Sequence, residues 1–299
     1  VQARLTVGTL PPLPFAASAA ALVGYPYGCI EQTTSKAWPL VLLDAQTRAR
    51  LGADDFGLTD PQGQPIAFDD AQRATMLDAA FARIASLQPG NGHFAMWPGS
   101  GEPVTYMTPY VADMLLDAKD AGLVVPESVL TRALDRLSED LLAGGNTHYQ
   151  YDHYEHLRLA EMAYSGYVLA RVNRAPLGTL RALYDNQRGS FIAPLPLAHL
   201  GAALALMGDG ERARKSMDEA FSREFERPEY LGDYGSELRD LTTMVALAQR
   251  HGLGTAPQAA RLVDVARELL GSGDTRWTST QEHLAILRVG RELSAGAPR

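Results

Sequence analysis

Apolar residues in this chain recur with helical spacing. Val111, Met114, Leu115 and Ala118 make one stripe, and Leu130, Ala133, Leu134, Leu137 and Leu141 make a second. Leu238, Leu241, Val245 and Ala248 continue the pattern, as do Leu262, Val263, Ala266, Leu269 and Leu270. Ile286, Val289, Gly290 and Leu293 close the chain in the same way. Start signals agree with the stripes: Pro126 suits a first helical position, Ser279 with Glu282 makes a capping box, and Asp69 with Gln72 makes a weaker one. Gly122, Gly144-Gly145, Gly252 and Gly271 mark stops. The pattern predicts about eleven helices joined by short turns, an antiparallel all-α array. Segments 52–67 and 185–193, rich in Gly, Asp, Pro and Gln, read as loops. Pro39 predicts a kink or an end near Trp38. Only Leu5 to Val7 reads as a strand, so residues 1–12 are expected to be a linker or a strand from a preceding domain, with the main domain over 13–299.

With 299 residues and 46% hydrophobic content, the chain holds one large domain's worth of core. A net charge of −8 argues against nucleic acid as a partner, since such binders carry basic patches. No apolar run approaches the roughly 18 residues of a membrane span. The start at Val1, without a methionine or a signal peptide, reads as a piece cut from something longer. One cysteine excludes an internal disulfide and a cysteine-based zinc site.

That cysteine sits in the most specific stretch of the chain, Gly24-Tyr25-Pro26-Tyr27-Gly28-Cys29-Ile30-Glu31-Gln32-Thr33-Thr34-Ser35. Cys29 and Gln32 stand at i and i+3, one helical turn apart, so their side chains can meet. The chemistry open to such a pair is condensation: the thiol displaces ammonia from the amide and leaves an internal thioester. A thiol of pKa about 8.5 leaves far better than an amine, so the acyl group is primed for an outside nucleophile. A helix start would further favour the thiolate. Gly28 would permit a tight turn into that helix, Tyr25, Tyr27 and Trp38 would supply aromatic cover, and Glu31 would favour the helix start electrostatically. A lone cysteine in another setting is more often a small buried hydrophobe.

The whole run resembles the thioester signature of the alpha-2-macroglobulin family, and Ile30 in particular resembles its bacterial branch. The resemblance extends in order along the chain: Leu5-Thr6-Val7 with Leu10-Pro11-Pro12-Leu13, Asn91-Gly92-His93-Phe94-Ala95-Met96-Trp97, Tyr106-Met107-Thr108-Pro109-Tyr110-Val111-Ala112-Asp113, Tyr234-Gly235-Ser236-Glu237-Leu238-Arg239-Asp240, and Trp277-Thr278-Ser279-Thr280-Gln281-Glu282. It implies an α/α toroid of six helical hairpins in two concentric layers. It also implies a broad endopeptidase inhibitor of bacterial defence, used once and not a turnover enzyme. In such proteins a protease cuts a bait region elsewhere in the parent, the thioester is uncovered, and a lysine amine of the protease takes the Gln32 acyl group while Cys29 leaves. Target proteases and neighbouring domains are then the expected partners, a peptidoglycan synthase a further one, and a periplasmic, lipid-anchored parent the expected setting. No cofactor is implied. Complement relatives carry a histidine that steers the thioester toward hydroxyls; the loop from Trp97 to Pro103 has none, which favours amines.

Other readings compete. His148, His153 and His156, with Asp152, could ligate zinc, although a polar helix start capped by Asp152 with solvated histidines explains them more simply. α/α toroids also host carbohydrate-active enzymes that use two carboxyls across one bond, for which Asp54-Asp55, Asp69-Asp70 and Asp152 with Glu155 are candidates. A third reading is a thioester-free binding module in which the motif never condenses.

Overall fold

Twelve α-helices, with further helical residues at 260–262 and 264, account for the fold among the residues described by the computed structural model, which are 13–25, 28–53, 68–100, 102–146, 152–224, 226–228, 230–254, 260–262, 264 and 278–295. They are α1 (Phe15–Val23), α2 (Ile30–Leu42), α3 (Ala45–Leu51), α4 (Asp70–Ser86), α5 (Met107–Asp120), α6 (Glu127–Leu142), α7 (Tyr154–Arg171), α8 (Leu177–Gln187), α9 (Leu195–Leu206), α10 (Gly210–Ser222), α11 (Glu237–Arg250) and α12 (Thr280–Ala295). The only β pairing among these residues is an isolated bridge between Ala95 and Pro103. The fold is all-α, as the periodicity predicts. The strand expected at Leu5 to Val7, with the whole of 1–12, lies outside the described residues.

Six of the helices close a circuit. α2 packs on α5, α5 on α7, α7 on α9, α9 on α11, α11 on α12, and α12 returns to α2. These helices are buried nearly all round: on α5 every residue from Met107 to Ala118 is buried. α4, α6, α8 and α10 flank them and bury a single stripe each, such as Leu77, Phe81 and Ile84 on α4. The expected count of six hairpins goes further than these pairings, because residues 265–277, just ahead of α12, lie outside the described residues.

Charges sit in the middle of the circuit. Asp113 and Asp117, one turn apart on α5, are both buried, and Arg171 of α7, Arg250 of α11 and Arg288 of α12 converge on them. Tyr164 donates to Asp113 at 2.9 Å, and Trp38 donates through Nε1 to Asp117 at 2.8 Å. Burial acts to raise both carboxyl pKa values, but the guanidiniums outweigh it and hold them below the usual range. The cluster joins four of the inner helices and, through Trp38, α2 as well. Removing one partner of such a buried set costs about 3–5 kcal/mol.

Two local expectations need correction. α2 does not stop near Trp38: it runs on through Pro39 to Leu42. Pro39 lies in its last turn, where its missing N–H forgoes only the bond to the Ser35 carbonyl, and Arg73 of α4 reaches across to the carbonyls of Leu40 and Val41, acceptors that the helix end leaves open. The segment 185–193 is only partly loop, since α8 extends to Gln187 and a short 3₁₀ turn covers Arg188–Ser190. Of the other expected loop, 52–67, residues 54–67 lie outside the described ones.

Candidate functional site

Cys29 is the N-cap of α2, with extended backbone (φ −67°, ψ 171°). Its Sγ accepts from the Gln32 backbone N–H at 3.4 Å, and the Cys29 N–H donates to Gln32 Oε1 at 3.3 Å. This is a reciprocal capping box in which a thiol and an amide take the places usually held by Ser or Thr and Glu or Gln. Both side chains therefore fold over the same first turn, with the amide carbonyl held by a backbone donor at a helix N-terminus. A thiol attacking that carbonyl would push charge onto an oxygen that already has a hydrogen-bond donor in place.

The expected lowering of the thiol's pKa does not prevail. Burial of Cys29 raises it, more than the Gln32 N–H and the helix start lower it, and the nearby Glu31 carboxylate raises it further. A buried thiolate is a reluctant leaving group, so enclosure would slow loss of an acyl group from this sulfur.

Neighbouring segments fix the turn in place. The Met96 carbonyl accepts from the Ile30 N–H at 3.1 Å, so the loop after α4 caps the helix from outside. Arg83 of α4 donates to the Gly28 carbonyl at 3.2 Å. Glu31 is buried, and its Oε1 accepts from Ser35 at 2.6 Å and from Thr280 and Gln281 of α12 at 2.8 Å each. Ser35 also bonds the Tyr110 hydroxyl at 2.7 Å. Burial, then the Glu31 charge, raises the Tyr110 pKa well above its ordinary value, which keeps it a neutral partner. Glu31 thus ties the site to the last helix, a role beyond the electrostatic one expected of it.

The remaining candidates divide. Tyr25 is half-buried and its carbonyl accepts from Lys36 Nζ at 2.8 Å; Tyr27 lies outside the described residues. A Cβ on Gly28 would meet only Thr33 Oγ1, at 3.8 Å, so no steric need for glycine exists there among the described neighbours. Trp38 gives the site no cover. It lies nine residues on, about 13 Å along the axis, fully buried against Asp117, Tyr110 and Arg288. His93 is also turned to structural use: Nε2 lies 3.0 Å from Asp140 of α6, and Nδ1 is 2.9 Å from the Thr108 hydroxyl.

The competing clusters do not assemble. His153 is the N-cap residue of α7, where Asp152 was expected, and it makes no side-chain cap bond. His156 is buried, not solvated, and its Nδ1 accepts from the Ile192 N–H at 3.1 Å. His148 lies outside the described residues, among which no group of three His, Cys, Asp or Glu could hold a metal ion. Asp69 caps α4 and Glu155 is held by Arg158; Asp54 and Asp55 lie outside the described residues. A cavity of about 350 Å³, lined by Arg223, Arg227, Glu237, Asp240, Met244 and Arg261 among others, shares no residue with the Cys29 site.

Sequence reasoning gave Thr280, Gln281, Ser35 and Tyr110 no role. All four fall in segments that carry the family resemblance, and that was the available signal.

The fold is an all-α array with a thiol and an amide sharing the first turn of a buried helix, and comparison with known proteins shows what the chain is similar to. The chain is 48% identical to an alpha-2-macroglobulin of Xylella fastidiosa and 32% identical to that of Escherichia coli, in each case over 296 residues, 98% of this chain and 17% of the relative. No protein-family model matches. Among solved structures, native E. coli alpha-2-macroglobulin from domain MG7 to the C-terminus superposes with a TM-score of 0.83 at 32% identity, covering 95% of this chain and 42% of that one. Salmonella alpha-2-macroglobulin reacted with methylamine gives 0.83 at 34%, covering 94% of this chain and 17% of that one. Trypsin-activated E. coli alpha-2-macroglobulin gives 0.77 at 32%, covering 94% and 18%. The chain is therefore homologous over nearly its whole length to bacterial alpha-2-macroglobulins, and it spans 17% of the length of these curated relatives.

Proposed function

We propose that Cys29 and Gln32 condense to an internal thioester, and that this chain is the acylating part of a bacterial protease inhibitor. The observation that carries the reading is the reciprocal capping box, which holds the thiol and the amide over one turn with the carbonyl oxygen on the Cys29 N–H. In the forward step Sγ attacks Gln32 Cδ, the same N–H supports the oxyanion, and ammonia leaves. In the second step an amine attacks that carbon and Cys29 departs as a thiol. Burial of the sulfur protects the bond until the site opens. The inhibitor is then consumed in one event, and lysine amines of the trapped protease are its acceptors.

Support comes also from the relatives: one structure is of a protein reacted with methylamine, a small amine, and others are of proteins activated by trypsin and by porcine elastase. As part of the same reading we assign the parent to the bacterial periplasm, lipid-anchored, with neighbouring domains enclosing the site. A Cys29→Ala variant of the full-length protein is expected to keep its fold, losing about 1 kcal/mol for the missing cap, and to lose all covalent attachment to a challenging protease on denaturing gels. Undiminished covalent attachment in that variant would refute the role of Cys29.

A further inference from the structure

Every residue of α2 is buried except Gln32 and Lys36. Standing four apart, these two share the one face that the helix leaves open. Long side chains on a helix lean toward its N-terminus, which carries the Lys36 stem back over Gln32. Its Nζ ends on the Tyr25 carbonyl at 2.8 Å, four residues ahead of Cys29. Burial lowers the pKa of this ammonium, so a larger share of it is free amine than at an exposed lysine.

We propose that Gln32 and Lys36 are the two ends of an internal isopeptide bond, formed when Nζ leaves the Tyr25 carbonyl and no outside amine arrives. The inference rests on the thioester reading above. Neutral Nζ attacks Gln32 Cδ, the C–S bond breaks, and the Cys29 thiolate takes up the proton that the nitrogen loses. No other reagent is consumed and the mass of the chain does not change. Neighbours at i and i+4 have Cβ atoms about 5–6 Å apart, within the span of a glutamyl and a lysyl side chain joined end to end. While Nζ is an ammonium donating to the Tyr25 carbonyl, it has no lone pair to attack with. Opening of the site then starts a competition between an outside lysine and an internal one, and a molecule that finds no target disarms itself.

The test uses the full-length protein in amine-free buffer, warmed in steps and followed by intact mass, thiol titration and tryptic mapping. The expected result is one thiol released per chain with no change of mass, loss of tryptic cleavage after Lys36, and a peptide spanning Gln32 and Lys36 that is lighter by one ammonia. Lys36→Arg should instead release the thiol with the gain of one water. A wild-type chain that gains water and is still cleaved after Lys36 would overturn the inference and leave the thioester standing. A starting protein of full mass with a free thiol would overturn both. The peptide map is read on the wild-type chain, so the outcome does not depend on the variant folding.

Discussion

At Glu31 one carboxylate oxygen holds three donors: its own helix neighbour Ser35, and Thr280 and Gln281 from the far end of the chain. Hydrogen bonds to a charged group contribute about 1.5–3 kcal/mol each, and truncation also strands buried donors. Glu31→Ala is therefore expected to destabilise by about 3 kcal/mol in denaturant unfolding, and Glu31→Gln, which keeps an acceptor oxygen, by markedly less. Equal losses would mean that packing, not the carboxylate, matters there. That the Cys29 and Gln32 side chains meet was legible because the contact is local, one turn on one helix. The work of Glu31 was not, since two of its three partners lie 249 and 250 positions away. The cost of enclosing Cys29 was equally hidden, because burial is a property of the assembled fold.

Helix α12 shows what element-level patterning conveys. Its Ser279–Glu282 capping box was read from sequence and is present in both directions, at 2.9 and 3.2 Å. Its Gly290 lay on the expected apolar stripe, but the reason for glycine appears only in the packing: a Cβ there would come within 2.5 Å of Phe15 on α1. Gly290→Ala is expected to force α1 and α12 apart at a cost of about 1–3 kcal/mol, in the range of other overpacked cores. An unchanged melting temperature would contradict the close approach. The stripe on α6 was legible, because a helix with one core-facing side repeats its pattern every turn; on α5 and α11 the stripes marked only part of helices that are buried all round, Asp113, Asp117, Arg239 and Asp240 included. Of the two outcomes expected at Pro39, an end near Trp38 did not occur, because the missing N–H costs one bond, to the Ser35 carbonyl, and only one turn remains beyond it.

Across the whole molecule, the interior is polar where the inner helices meet. His199, buried and stacked on Tyr164 at 4.2 Å, has its pKa pushed down to about 3, chiefly by burial. Between about pH 6.5 and that value the unfolded chain binds a proton that the folded one does not. Stability is thus expected to fall as pH drops through this window, by up to about 1.4 kcal/mol per pH unit from this residue. His199→Phe should flatten unfolding curves measured between pH 6 and pH 4 by about that slope; an unaltered slope would mean His199 titrates freely. None of this was readable from spacing, because the closing of the helix circuit is not written in any one stripe. The central claim belongs to this scale too, and one measurement tests it most directly: intact mass and thiol titration of the native protein before and after methylamine. The account predicts a mass one ammonia below that of the sequence with no free thiol, then one thiol and one added methylamine per chain. A full mass with a titratable Cys29 from the outset, unaltered by methylamine, would contradict it.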